Sequence, residues 1–275
     1  METRRIAFVG GGNMASALIG GVLENGWPAT GIRVLEPDAA VRESLRRRHR
    51  VAASEDPSLA LKDAQLVVWA VKPQVMQEAA RQSAGFCRDA LHLSVAAGVK
   101  LVDVSSWLSS LRVVRAMPNT PALVGEGVTG LYGSAHVSDE DRRFVETVVS
   151  GVGRCFWVAD DAAMDAVTAL SGSGPAYVFH FLEALQEAAQ ALGFDEGRAR
   201  DLATEVVSGA TLQAARSGES FGRLRERVTS KGGTTEAALR VLEAFDTRGA
   251  LLAAVIAARH RAAELGEELA RPSSH

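Results

Sequence analysis

The amino-acid sequence predicts an α/β domain followed by an all-helical one. Three observations carry that prediction. Short apolar or β-branched runs alternate with helix-patterned stretches up to about residue 160. A glycine cluster, Gly10-Gly11-Gly12, lies directly between the first such run and the first helical stretch. Beyond Asp160 the strand signals stop, and the chain becomes rich in Ala, Leu, Glu and Arg. Strands alternating with helices build βαβ units and a parallel sheet. Long stretches of strong helix formers joined by short breaks build a bundle. The two halves are expected at residues 1–160 and 161–275.

Each element has its own signal. RIAFVG (5–10) is a β-rich run, and NMASALIGGVLENG (13–26) has helical spacing and closes on a glycine. IRVLE (32–36) reads as a second strand and AAVRESLRRR (39–48) as a helix. LVVWAV (66–71), LHLSV (91–95) and LRVVRAM (111–117) are further strands, with helical stretches between them. VTGLYG (128–133) and RCFWVA (154–159) extend the sheet, in an antiparallel sense, around a helix in DEDRRFVETVVSGVG. Residues 162–192, 195–217 and 233–270 read as long helices. Alanine-rich faces such as ALLAAVIAARHRAA permit close helix approach. A single copy of this half leaves much apolar surface uncovered, which points to a dimer made through it.

Bulk properties exclude several classes. With 47% hydrophobic and 23% charged residues, the chain has the balance of a globular protein. A formal net charge of −3 gives no electrostatic pull toward nucleic acid or an anionic membrane. The run RRRHR (46–50) is expected to be a solvated helix end. Cys87 and Cys155 are far apart and lack metal-ligand spacing, so neither a disulfide framework nor a zinc site is expected, and the compartment is expected to be the cytoplasm. METRRIAFVGGG enters a strand at once, without the pattern of a signal peptide, and ALLAAVIAA is too short to span a bilayer.

The first strand runs into Gly10-Gly11-Gly12-Asn13-Met14-Ala15, which fits G-x-G-x-x-A. In such a turn the first glycine allows the tight bend. The second leaves room for a pyrophosphate, and the small third residue lets helix and strand pack closely. The helix start then offers free N–H groups and a positive dipole end to phosphate. A dinucleotide-binding Rossmann domain is therefore expected. Glu36 ends the second strand, where an acid accepts hydrogen bonds from the adenosine ribose and repels a 2′-phosphate. Arg42 and Arg46 follow on the next helix, where they would soften that repulsion, so NADPH and NADH both remain open. Three more strands end in loops where a ligand crevice is expected. Ala70, Lys72 and Pro73 close one, with Lys72 either meeting phosphate or ribose or facing water. The small residues of SVAAG, Ala97 among them, close the next and leave room for a flat ring. Met117-Pro118-Asn119-Thr120-Pro121 closes the third, its prolines stiffening a loop that holds Asn119.

A nicotinamide cofactor implies hydride transfer, and most alcohol oxidations also need a base. None of the six histidines sits in a loop beside an acid, and His180 in YVFHF reads as a satisfied core residue. An imine needs little acid–base help, because an iminium already carries its proton. The stretch VTSKGGTTEAAL (228–239) then gains a purpose. Its glycines let successive N–H groups converge at a helix start, and Ser230, Thr234 and Thr235 add hydroxyls, together a cradle for a carboxylate. Two other readings stay open: a related reductase acting on a β-hydroxyacid or another cyclic imine, and a non-catalytic dinucleotide sensor. The first predicts a lysine at the start of the helical half, which SGSGPAYVF lacks; the second has no use for the cradle.

FVGGGNMASALIGG, WAVKPQ, RAMPNTPALVGEG, ALSGSGPAYVF and LRERVTSKGGTTEAALRVLE together resemble the pyrroline-5-carboxylate reductase family over essentially the whole chain. The resemblance implies a Rossmann domain and an interlocking helical dimerisation domain. It also implies homodimers, in many members assembled into decamers, and reduction of L-1-pyrroline-5-carboxylate to L-proline with NADPH or NADH. Carried onto this sequence, it gives the Thr235 hydroxyl to the ring nitrogen, and Ser230 with the backbone of Gly233 and Thr234 to the carboxylate. Ser171-Gly172-Ser173-Gly174-Pro175 resembles a second family loop. Lys231 and Phe221 stand where prolines are usual in the family, and Glu36 where NADP-using members have small or basic residues.

Overall fold

The computed structural model describes residues 4–270; the polar tail RPSSH and the first three residues lie outside the described part. Eight strands form one sheet: β1 (Ile6–Val9), β2 (Ile32–Leu35), β3 (Ala52–Ser54), β4 (Leu66–Trp69), β5 (Leu91–Ser94), β6 (Val113–Met117), β7 (Gly127–Gly133) and β8 (Gly153–Trp157). Their order is β3-β2-β1-β4-β5-β6-β7-β8. The first six run parallel, β7 runs antiparallel to β6, and β8 runs parallel to β7. The chain winds outward from β1 in both directions, so a topological switch point lies between β1 and β4 at the carboxyl ends of the strands. The expected strands are all present. β3 is additional: Ala-Ala-Ser carries no β-rich pattern, and its pairing with β2 makes it a strand.

The helices on this sheet are α1 (Asn13–Glu24), α2 (Ala39–His49), α3 (Pro57–Leu61), α4 (Pro73–Ser83), α5 (Leu101–Leu108), α6 (Asp139–Val149) and α7 (Asp161–Val167). Side chains alternate across the strands, giving two cores. Ile6 and Phe8 face Leu18, Ile19 and Val22 of α1, while Ala7 and Val9 face Met76 and Ala80 of α4. Phe8 pairs in register with Val34 and Val68, and all three are fully buried. Burying each such side chain contributes about 1.5–3 kcal/mol. Asp38 caps α2 by accepting from the Ala40 and Val41 amides, and Ser138 with Asp141 forms a capping box on α6. The RRRHR end of α2 is solvated as expected, with Arg46, Arg47, Arg48 and Arg50 exposed; within it Arg46 donates to the Ala53 carbonyl, and His49 Nε2 lies 2.8 Å from Ser16 Oγ.

The second half contains α8 (Gly174–Ala191), α9 (Glu196–Ser217), α10 (Phe221–Arg227), α11 (Thr234–Ala244) and α12 (Thr247–Ala270). The expected helix 162–192 is interrupted by a π-turn at Thr168–Gly172, where Ser-Gly-Ser-Gly weakens the helix. The expected helix 233–270 breaks at Phe245-Asp246, with Asp246 at φ 45°. By compactness the chain falls into two units, Met1–Ser173 with Ala258–His275, and Gly174–Ala257. Composition changes at 160, but the first unit continues to Ser173 because Met164 and Val167 of α7 are buried on it. Within the second unit, Phe179, Phe181, Val206, Leu212, Leu242 and Phe245 are exposed. His180 is exposed too, rather than a core histidine, because α8 has no core around that face within one chain. Among the described residues no helix is long and apolar enough to cross a membrane.

His92, on β5, is buried and accepts a hydrogen bond at Nδ1 from the Trp69 indole N–H at 3.2 Å. Burial, with the Arg112 charge nearby, pushes its pKa down to about 4. The folded state therefore holds it neutral, while the unfolded chain binds a proton below about pH 6.5. Its contribution is present above pH 6.5 and lost as pH falls from there to about 4. Between pH 7 and pH 4 the parent should lose about 3 kcal/mol more stability than His92→Gln, measured by denaturant unfolding at each pH.

Candidate active site

The turn between β1 and α1 shows why its glycines are placed as they are. Gly10 sits at φ 92° and donates its amide to the Leu35 carbonyl at 2.9 Å. A Cβ there would stand 2.7 Å from the Ala70 carbonyl oxygen, so the turn is wedged between the ends of β2 and β4. Gly12 is different: its backbone is ordinary extended chain, and a Cβ would meet nothing within 4 Å. The fold needs Gly10; it does not need Gly12. No side chain caps α1, whose first internal bond is Ser16 N–H to Gly12 C=O. The amides at Asn13, Met14 and Ala15 thus lack acceptors within the helix. Asn13 is exposed, Met14 packs on the core and Ala15 is fully buried. An open surface over Gly12 with free amides behind it fits a diphosphate.

Glu36 lies beside this turn. Its Oε2 accepts from the Gly11 amide at 2.7 Å, and its Oε1 from the Asp38 amide at 2.9 Å. The carboxylate expected to receive ribose thus also fastens the glycine turn to the end of β2. The two arginines expected to soften its charge are otherwise engaged. Arg42 donates to the Glu36 and Pro37 carbonyls and pairs with Glu55 at 3.0 Å, and Arg46 donates to the Ala53 carbonyl at 2.6 Å.

The other strand ends fall where expected, on the same edge of the sheet. Ala70 follows β4 against Gly10, Lys72 is the exposed N-cap of α4, and Pro73 fills its first position. Ala97 is exposed beyond β5. Asn119 is half-buried after β6, and its side chain serves the protein itself. Its Oδ1 accepts from the Val128 amide at 2.9 Å, and its Nδ2 donates to the Ser171 carbonyl at 3.2 Å. It therefore ties the Pro-Asn-Thr-Pro loop to β7 and to the Ser-Gly-Ser-Gly turn. Sequence reasoning missed that tie; the only signal was a polar residue flanked by two prolines.

In the second unit the stretch before α11 forms a tight turn. Gly232 sits at φ 73°, and the Gly233 amide donates to the Ser230 carbonyl at 3.0 Å. No side chain caps α11 at Gly233, so the Thr234 and Thr235 amides are open while that of Gly233 is engaged. Glu236 reaches back to the Gly232 amide and holds Arg240 at 3.1 Å. This clasp was also missed, although an acid in the first turn reaching back is a capping habit. It restrains the turn at the place where Lys231 stands instead of proline. Lys231 itself is exposed. Among the described residues no cluster of acids, histidines and cysteines can hold a metal.

A doubly wound sheet with an open glycine turn at its switch point, followed by a helical half, is the architecture of a nicotinamide-dinucleotide oxidoreductase. Residues 161–265 match the model of pyrroline-5-carboxylate reductase dimerisation, and residues 5–98 that of NADP oxidoreductase, coenzyme F420-dependent. The chain belongs to the pyrroline-5-carboxylate reductase family. It is 41% identical to the pyrroline-5-carboxylate reductase of Pseudomonas aeruginosa over 98% of this chain and 99% of that one. The Arabidopsis thaliana enzyme of the same name is 36% identical over 97% of each. The structure of a Coxiella burnetii pyrroline-5-carboxylate reductase superposes with a TM-score of 0.91 at 36% identity, covering 96% of this chain and 99% of that one. That of the Plasmodium falciparum enzyme with NADP bound gives 0.86 at 25% identity, covering 97% and 99%.

The two glycines separate fold from binding. Gly10→Ala should lower stability by about 2–4 kcal/mol, through strained backbone and the Ala70 contact. Gly12→Ala should change stability by less than about 0.5 kcal/mol yet weaken cofactor binding by about tenfold or more. Thermal unfolding and cofactor titration of the two variants check this.

Proposed function

We propose that this chain reduces L-1-pyrroline-5-carboxylate to L-proline, with hydride passing directly from the nicotinamide of NADPH or NADH to the imine carbon. The observation that carries the reading is the open start of α11, where the Thr234 and Thr235 amides lie behind a glycine turn fixed by Ser230 and Glu236. A carboxylate bound there needs no salt bridge, since converging amides and the helix dipole supply the positive potential. The Thr235 hydroxyl takes the ring nitrogen, and Ser230, Gly233 and Thr234 line the carboxylate's place. Gly10, Gly12, Asn13, Met14 and Ala15 hold the diphosphate, Glu36 the ribose, and Ala70, Lys72, Pro73, Ala97 and Asn119 border the rest of the dinucleotide. The cofactor supplies the hydride. The protein aligns donor and acceptor and excludes water, and the resulting ring nitrogen keeps the proton the iminium brought.

The helical half, residues 161–275, is read as the dimerisation and substrate domain. Its exposed Phe179, Phe181 and Phe245 support a homodimer, and the dimers are read as units of a decamer. The free thiols of Cys87 and Cys155 support a cytoplasmic location, and the near-neutral charge supports a small-molecule enzyme without nucleic-acid or membrane partners.

The reading is tested by incubating the purified chain with pyrroline-5-carboxylate and NADH or NADPH, and following cofactor oxidation and proline formation. Substrate-dependent oxidation is expected with at least one cofactor; its absence with both contradicts the proposal. Thr235→Ala should lower kcat by about tenfold to a hundredfold with cofactor affinity kept, and Thr235→Ser should recover most of the rate. Sedimentation should give a mass of at least two chains, and a charge placed at Phe181 should shift it toward one.

A further inference from the structure

The environment of Glu36 carries a statement about cofactor choice. Both carboxylate oxygens are held by backbone amides, of Gly11 at 2.7 Å and Asp38 at 2.9 Å. Such bonds fix an ionised carboxylate in place, and each oxygen keeps a second lone pair for another donor. In a sheet wound this way, the adenosine ribose lies at the end of the second strand. A 2′-hydroxyl can donate to an anchored carboxylate. A 2′-phosphate brings negative charge and no donor, so it needs a nearby cation that is free to turn toward it.

The structure shows where those cations are. The side chain of Arg42 is 15% exposed, and its guanidinium is shared between the carbonyls of Glu36 and Pro37 and the carboxylate of Glu55. Turning it outward would abandon three partners. Arg46, whose side chain is half exposed, donates to the Ala53 carbonyl and lies 3.9 Å from Glu43. Arg47 also faces Glu43. Asp38 is committed to the first amides of α2 and adds a further negative charge beside Glu36. The two arginines that the sequence offered as phosphate partners therefore stabilise the second and third strand ends instead.

We infer that Glu36, anchored by the Gly11 and Asp38 amides and left uncompensated by Arg42 and Arg46, makes this chain selective for NADH over NADPH. The inference deepens the proposed function, because it rests on the glycine turn being the dinucleotide site. It sets the chain apart from a relative whose structure holds NADP. The carboxylate has two roles, fastening the turn and screening the ribose, and Glu36→Gln separates them: the amide side chain still accepts a hydrogen bond but carries no charge.

The test is direct titration of the purified full-length chain with NADH and with NADPH, by calorimetry and without imine substrate, at low and high salt. The parent should bind NADH at least about tenfold more tightly than NADPH, and salt should narrow that ratio because the rejection is electrostatic. Glu36→Gln should bring the ratio toward one by tightening NADPH. Equal or tighter NADPH binding by the parent overturns the inference, as does a ratio that Glu36→Gln leaves unchanged. The parent's ratio needs no variant to fold. Selective NADH binding by a chain that leaves pyrroline-5-carboxylate unreduced keeps this inference and removes the proposed reaction. Reduction supported equally by both cofactors, with equal affinities, does the reverse.

Discussion

The cofactor half depends on one close approach. The chain leaving β1 turns through Gly10 at φ 92° with its backbone against the Ala70 carbonyl, where no side chain fits. That contact sets the turn at the switch point between β1 and β4. It points the start of α1 outward and leaves the Gly12 surface open. Glu36 then fastens the next residue, Gly11, to the end of β2. Backbone geometry, with one carboxylate fastening it, therefore shapes this turn. The same device recurs at lower cost before α11, where Gly232 at φ 73° and the Glu236 clasp present open amides.

Charge is used sparingly at both places. At neither helix start does the N-cap residue's side chain accept from the first amides, so those amides have no acceptor within the helix. The charged groups nearby are turned to scaffolding: Arg42 and Arg46 on strand-end carbonyls, Glu36 and Glu236 on loop amides. A buried charge elsewhere is paired in the same way, Arg115 on β6 with Asp161 at the start of α7. Reduction of an imine suits such an architecture. It asks for alignment of a hydride donor and a fixed anion, with little proton transfer by side chains.

Much of this was legible in the sequence, because it rests on local rules. Gly10, Gly12 and Ala15 announce their turn through spacing after a β-rich run, and β1, β2, β4, β5 and β6 announce themselves as apolar runs. β3 did not, since Ala-Ala-Ser becomes a strand only by pairing with β2. The partners of Arg42, Arg46 and Asn119 were invisible because they are mostly backbone groups brought near by the fold, with the Glu55 carboxylate the added partner of Arg42. His180 read as a core residue because aromatic neighbours usually mean burial, yet Phe179 and Phe181 are themselves exposed in the single chain. Where Lys231 replaces the proline usual in the family, the Glu236 clasp on the Gly232 amide restrains the turn, and that clasp is a contact the spacing alone does not show.

The central claim is that hydride passes in one step from the nicotinamide to the imine carbon, without exchange with water. Isotope transfer reads this most directly. The purified chain is given pyrroline-5-carboxylate and NADH carrying deuterium at the transferable nicotinamide position, and the product is examined by mass spectrometry and NMR. The account predicts proline with a single deuterium on the ring carbon that was double-bonded to nitrogen, and unlabelled oxidised cofactor. Proline formed without deuterium, with the label lost to water, would contradict it.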